Sequence, residues 1–287
     1  MNTFHFNNSS LSYLSCAKRY YFQVVKGLKP PPGGNKYTKA GLAFHKMMQL
    51  IGGPDYPSMT MAAMFSKDKL PPLVTSVPEA QQLTLANACD KIFNEHPELF
   101  QEGSLREHWF EYQLREEFCV KDWVAGPCGT IDNISIINGT LVLTDYKTTS
   151  KPIDPALVSA YKLTSQRFFY LLAALTIDLP KSFAALRDSL SIAWRYCYVH
   201  AETGDYYLEE PQLLNVNELT YFRGLIYDKA ILAAALHADP TLALKEGILT
   251  GQCWKCPFSQ ICLAADEEAA VQSWYYGSQP YNPKHDE

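Results

Sequence analysis

Asp132, Asp145 and Lys147 are the residues whose types and spacing most directly allow chemistry. They lie between Gly129 and Lys147, in the stretch GTIDNISIINGTLVLTDYK. Asn138-Gly139 at its middle favours a type I′ hairpin turn, because both central residues of that turn need positive φ. Pairing outward from a two-residue turn sets Ile137 opposite Thr140, Ile136 opposite Leu141, and finally Asp132 opposite Asp145. Two carboxylates facing each other across a strand pair repel, and such a pair usually shares a cation or a proton. Lys147 stands two residues beyond Asp145, on the same face. Ile134, Ile136, Leu141 and Leu143 floor that face with apolar surface. Hard oxygen ligands of this kind suit Mg²⁺ or Mn²⁺. A salt-bridged hairpin end, with Lys147 neutralising both acids, explains the same three residues equally well.

A second cluster is Cys253, Cys256 and Cys262. A Cys-x-x-Cys knuckle is a compact way to present two thiolates to one metal. Three local thiols need a fourth ligand, and Cys16, Cys89, Cys119, Cys128 and Cys197 are the candidates. Zn²⁺ and an iron–sulfur cluster both satisfy the spacing.

The elements that must position these groups can be read in outline. Residues 7–25 read as one helix capped by Ser9 or Ser10. A second helix starts near Thr38, carries His45 and ends at Gly52-Gly53. The Pro-rich stretch 51–78 reads as irregular, with a short helix around Met61 to Phe65. Glu79 to Asn94 reads as a helix, and Arg106 to Phe118 as a strand containing Glu111. After the central hairpin, Asp154-Pro155 caps a helix running to about Leu175. Gln166 and Tyr170 share one face of it. Ser191 to Val199 and Tyr206 to Leu208 form a second hairpin, and Leu219 to Leu236 a last long helix. The tail after the cysteines reads as poorly ordered or as a docking segment.

Composition bounds the function. The chain has 287 residues and is 47% hydrophobic, enough to bury a sizeable core. No apolar run reaches a membrane span and no signal-peptide pattern opens the chain. An intracellular protein is therefore expected, in which eight cysteines read as thiols or metal ligands rather than disulfides. The net charge of −5 argues against a general polyanion binder. Its distribution is uneven, however. Residues 1–54 contain no Asp or Glu but carry Lys18, Arg19, Lys26, Lys29, Lys36, Lys39 and Lys46, interleaved with Tyr13, Tyr20, Tyr21, Phe22 and Tyr37. That section suits a nucleic-acid-facing surface, or an ordinary solvated helix face.

With these pieces placed, the sequence resembles the PD-(D/E)XK nuclease superfamily. It looks most like the branch holding the RecB and AddB nuclease domains, Cas4, and phage and mitochondrial exonucleases. The resemblance rests on Gly129-Thr-Ile-Asp132, on Asp145-Tyr-Lys147, on Gln166-x₃-Tyr170 and on Gly41-Leu-Ala-Phe-His45. It also rests on the opening Ser10-x₅-Cys16-x₃-Tyr-Tyr-Phe run and on the C-terminal cysteine trio with Pro257. It spans about Asn7 to Leu263, and the proline that usually precedes the first Asp is Ile131 here.

The resemblance implies a restriction-endonuclease-like α/β fold, a mixed central sheet flanked by helices. It implies a [4Fe–4S] cluster on Cys16, Cys253, Cys256 and Cys262 that joins the N- and C-terminal parts, with structural Zn²⁺ as the alternative. One nuclease domain is expected over 1–287: a basic helical part (1–54), a helical insert (55–100), the catalytic sheet (101–212), a C-terminal helix with cysteines (213–265) and a tail (266–287).

Asp132, Asp145, the Tyr146 carbonyl and His45 are the expected ligands of Mg²⁺ or Mn²⁺. Lys147 is expected to orient the attacking water, its pKa depressed by the neighbouring cation. Gln166 and Tyr170 would contact DNA or brace Lys147, and Arg19 would track a phosphate backbone. The implied activity is a single-strand- or end-preferring DNA exonuclease of bacterial or phage origin, serving repair, recombination or replication, with a helicase or recombination protein as partner. A Cas4-type nuclease of CRISPR adaptation and a non-catalytic Fe–S nucleic-acid-binding module are the alternatives.

Overall fold

The computed structural model describes residues 2–29, 36–51, 71–111, 120–162, 164–176, 178–245, 253 and 256–274. In chain order the main elements are β1 (Asn2–Phe6), α1 (Asn8–Tyr13), α2 (Ala17–Tyr20), α3 (Lys36–Leu50), α4 (Pro72–Thr75), α5 (Glu79–Glu95), β2 (Leu105–Glu111) and β3 (Trp123–Ile137). There follow β4 (Thr140–Thr149), α6 (Pro155–Lys162), α7 (Gln166–Thr176), α8 (Lys181–Asp188), β5 (Ile192–His200), β6 (Tyr206–Leu208), β7 (Gln212–Leu213), α9 (Val216–Ala238), α10 (Ser259–Cys262) and α11 (Glu267–Gln272). Two compact units share them. The first comprises Met1–Gly33, Phe110–Gly129 and Asn217–Glu287, the second Gly34–Trp109 and Thr130–Val216. Among the described residues no single helix is long and apolar enough to cross a membrane.

The second unit is a mixed sheet with helices packed on it. β3 and β4 pair antiparallel from Ile137↔Thr140 to Asn133↔Thr144, which is the register expected from the Asn138-Gly139 turn. Both turn residues have positive φ, +49° and +76°. β4 pairs parallel with β5, and β5 pairs antiparallel with β6 and β7. A strand with neighbours on both edges and helices over it is buried on both faces, and Leu141 to Tyr146 are all buried. α3 and α5 bring Phe44, Met47, Met48, Leu85, Cys89 and Ile92 against Tyr146, Cys197 and Val199. From α6 and α7, Tyr161 and Tyr170 pack on Trp194, Tyr196 and Tyr198 of β5.

In the first unit β1, which the sequence reading does not anticipate, pairs parallel with residues 123–127 of β3. The expected single helix over 7–25 is broken there. Asn7, not Ser9 or Ser10, caps α1 by accepting the Ser10 N–H at 2.8 Å, while its own N–H donates to Ser10 Oγ. The chain leaves the helix before Cys16, whose φ of −144° and ψ of 112° are extended. It resumes as α2 and a π-helical turn, Tyr21–Val25. Phe22, Leu28, Phe258 and Ile261 form a small apolar cluster beside Cys262.

The helix expected from Asp154 to Leu175 is also two helices. Asp154 caps α6, accepting the Leu157 N–H at 2.8 Å. The hydroxyls of Thr164 and Ser165 at the break compete for backbone partners and favour caps over helix interiors. Thr164 Oγ1 instead lies 3.0 Å from Tyr196 Oη. α8 is a further element that residue patterning does not reveal. Gly52-Gly53, the Met61–Phe65 helix, residues 112–118 of the second strand and the tail beyond 274 lie outside the described residues.

Candidate active site

The site is built on the ends of β3 and β4 and on α3. One residue past the last hairpin pair, Asp132 turns its carboxylate to the β4 backbone, accepting the Tyr146 N–H at 2.6 Å. Its other oxygen meets His45 Nδ1 at 3.2 Å. His45 is carried by α3, with its ring set edge-on to Tyr146 at 6.0 Å. The helix can approach so closely because residue 41 is glycine: a Cβ there would meet Thr148 Oγ1 at 2.9 Å.

Glu107 is the member that sequence reasoning missed. Its Oε1 lies 3.8 Å from His45 Nδ1. His45, Glu107 and Asp132 each offer a ligand atom within 4.8 Å of the others. Glu107 has a φ of +48° within β2, a conformation costly for a non-glycine residue and found where the surroundings require it. Glu107 and Glu111 both fall on the expected strand, and nothing local in the sequence distinguishes the two.

Asp145, the next carboxylate, sits on β4. Lys147 Nζ is 2.5 Å from its Oδ2, and Gln166 Nε2 donates to its Oδ1 at 3.0 Å. The Gln166 amide also donates to Tyr170 Oη at 3.3 Å. Gln166 therefore braces Asp145, whereas the sequence reading has the pair on α7 contact DNA or brace Lys147.

Burial and charge set the protonation of this cluster. Desolvation pushes the Asp145 carboxyl up to about 6 against the pull of Lys147, with the Asp132 charge adding to the rise. Desolvation pushes Asp132 up as well, but His45, Lys147 and the Tyr146 N–H hold it below the usual carboxylate range. Burial lowers His45, yet the Asp132 and Glu107 carboxylates outweigh it and raise its pKa well above the ordinary imidazole value. Lys147 shifts in the same direction. Burial alone depresses an ammonium, but Asp145 and Asp132 raise its pKa instead. In the protein without a cation these two bases neutralise the carboxylates.

Two or three acidic oxygens, an imidazole nitrogen and a backbone carbonyl are donors that suit Mg²⁺ or Mn²⁺. Among the described residues the converging group is His45, Glu107 and Asp132; the other two expected ligands, Asp145 and the Tyr146 carbonyl, are not part of it.

The cysteines gather in the first unit. Cys16, Cys253, Cys256 and Cys262 line one small cavity, together with Lys18, Arg19 and Lys245. None of the four is in a disulfide. Burial raises the Cys256 and Cys262 thiols, and the nearby Cys16 and Cys253 raise them further. Four thiols around one space form a donor set for a soft or borderline metal or a cluster. Of the other fourth-ligand candidates, Cys89 and Cys197 are buried in the core of the second unit. Cys128 is buried on β3, and Cys119 lies outside the described residues. Arg19 belongs to the cysteine cavity, with its guanidinium 4.7 Å from the centre of the Tyr13 ring.

A family model described as the PD-(D/E)XK nuclease superfamily matches residues 8–263. No curated protein matches the chain. A solved structure described as "Crystal structure of SSO0001" is 12% identical, with 90% of this chain and 85% of that chain covered and a TM-score of 0.36. A likeness of that degree carries no argument.

Proposed function

The chain belongs to the PD-(D/E)XK nuclease superfamily, and from that premise we propose that it is a Mg²⁺- or Mn²⁺-dependent DNA exonuclease that prefers single strands or free ends. The observation that carries this reading is the convergence of His45, Glu107 and Asp132 within 4.8 Å, beside a second carboxylate paired with an ammonium. Bound among these residues, a divalent cation would offset the charge of the scissile phosphate and make water a better nucleophile.

The protein's own groups have separable roles. Asp132 is held to the β4 backbone, so its position does not depend on substrate. Gln166 and Lys147 hold Asp145 from two sides, which fixes the carboxylate direction. Lys147 remains an ammonium and donates hydrogen bonds to the attacking water or to the phosphoryl oxygens as negative charge develops there. Tyr170 acts through Gln166 and is a positioning residue.

In this reading the whole chain is one nuclease domain of the RecB, AddB and Cas4-like branch, with DNA as substrate and a helicase or recombination protein as partner. Cys16, Cys253, Cys256 and Cys262 hold a structural [4Fe–4S] cluster. The basic residues from Lys18 to Lys46, Arg19 among them, lie along the DNA backbone.

Asp145→Ala tests the central claim. Digestion of end-labelled single- and double-stranded DNA with Mn²⁺ is expected to fall by about 10³-fold or more, with cysteine-bound iron unchanged. Cleavage at the wild-type rate would place the site elsewhere. Elemental analysis of anaerobically purified protein separates iron from zinc, the latter being the alternative occupant of the thiols.

A further inference from the structure

The sheet face that carries Asp145 and Lys147 continues beyond them. Alternation along β4 puts Asp145, Lys147 and Thr149 on one side. The parallel register sets Tyr196, Tyr198 and His200 of β5 beside these three in turn. β6 adds Tyr207 opposite Tyr198, their rings stacked at 6.3 Å with 13° between planes. Past this row lies a cavity of about 760 Å³ between the loop that leads into α6 and the β5–β6 hairpin. His200 lines it and pairs with Thr149, which is two residues from Lys147 along β4, about 7 Å at the rise of a strand.

The lining suits one kind of occupant. Pro152, Ile153 and Tyr207 supply flat or apolar walls, and Tyr207 is 47% exposed. Asp154 and Asp205 supply the acceptors. Each is held by its own turn: Asp154 by the Leu157 N–H, and Asp205 by Thr203 Oγ1 at 2.6 Å. A carboxylate making one such bond keeps further lone pairs for a ligand. Neither Lys nor Arg is among the lining residues, so a phosphate would meet only negative charge. An uncharged ring bearing an amino group would find stacking surface and acceptors together, in a volume ordinary for a small-ligand site.

We propose that this cavity receives the unpaired base of the nucleotide next to the scissile phosphate, and that it favours bases with an exocyclic amino group over thymine. The proposal rests on the nuclease reading above and deepens it. A base stacked and paired in a duplex cannot enter without being unstacked, so the cavity would select single strands or frayed ends.

The test uses a thymidine oligonucleotide carrying one 2-aminopurine, moved position by position and bound to the full-length protein in Ca²⁺. Fluorescence is expected to fall at least threefold at one position, adjacent to the bond that the protein cuts in Mn²⁺. Tyr207→Ala should abolish that quenching at a protein concentration where anisotropy shows the oligonucleotide fully bound, with its affinity lowered by about fivefold or more. Tyr207→Phe, which keeps the ring, should retain it. Asp154→Asn with Asp205→Asn should bring the cleavage rates for adenine and thymine at that position together. DNA cleavage by the wild type without position-specific quenching, or quenching that survives in Tyr207→Ala, would overturn the subsite and leave the nuclease reading intact. Failure of the wild type to cut any DNA with Mg²⁺ or Mn²⁺ would remove both.

Discussion

His45 is the residue on which the charge balance of the site turns. Its pKa is raised in the folded protein by Asp132 and Glu107, although burial opposes this. A base with a raised folded pKa adds stability below its unfolded value, and that stability is lost as pH climbs through the folded value. In EDTA, His45→Gln should therefore lower the melting temperature more at pH 6 than at pH 9. An equal loss at both values would show that the imidazole is not charged in the folded protein.

The same protons compete with a cation. Ligand groups must be deprotonated to bind metal, and Asp145 holds its proton up to about pH 6. Mn²⁺ affinity measured by calorimetry should rise with pH through the neutral range as His45 releases a proton. It should rise more steeply below about pH 6, where Asp145 must release one as well. A flat profile between pH 5 and 8 would remove these two residues from the ligand set. Glu107→Gln should weaken Mn²⁺ binding by about tenfold or more, the cost of losing one charged oxygen donor near the ion.

At the scale of elements, the placement of α3 matters most. His45 reaches Asp132 because α3 lies close to β4, and that approach runs through Gly41 and Thr148. Thr148 can turn its hydroxyl away from one added methyl group, so Gly41→Ala should be mild. The branched side chain of Gly41→Val cannot be accommodated by that rotation. It should destabilise the fold by about 1–3 kcal/mol and lower Mn²⁺ affinity together with it. Loss of stability with normal Mn²⁺ binding would show that His45 does not depend on this contact. The break between α6 and α7 has a comparable role. It lets Gln166 begin a new helix aimed at Asp145, which one continuous helix from Asp154 would place differently.

For the whole molecule, the cysteine cavity joins distant parts of the chain within the first unit. Cys16 and Cys262 are far apart in sequence yet line the same space. A metal or cluster bound there stabilises folding by the free energy of its binding. Cys16→Ala should reduce bound iron to below half of the wild-type value and lower the melting temperature by roughly 10 °C or more. Unchanged iron with an unchanged melting temperature would exclude Cys16 as a ligand.

Much of this protein was legible before any tertiary structure, and the legible parts are local. The Asn138-Gly139 turn specifies its own φ values, and a two-residue loop then specifies the pairing out to Asn133↔Thr144. Asp132, Asp145 and Lys147 stand out because alternation along a strand is a fixed period. The Cys-x-x-Cys spacing is likewise a property of a few consecutive residues. Three features depended on contacts between segments far apart in the sequence. Glu107 became a site residue through its distance to His45 and Asp132, which no spacing encodes. Spacing left Cys16 one of five candidates, favoured only by the family resemblance, and its place beside the other three thiols belongs to the folded first unit. The rise in the Lys147 pKa came from two carboxylates in a buried setting, where their attraction outweighs the desolvation that a sequence-based argument also has to guess. Periodicity and turn chemistry act over a few residues, whereas burial and charge coupling act through space. That difference in range is why the sequence alone determined the hairpin and its three charged residues, and why only the tertiary structure decided their partners and their protonation.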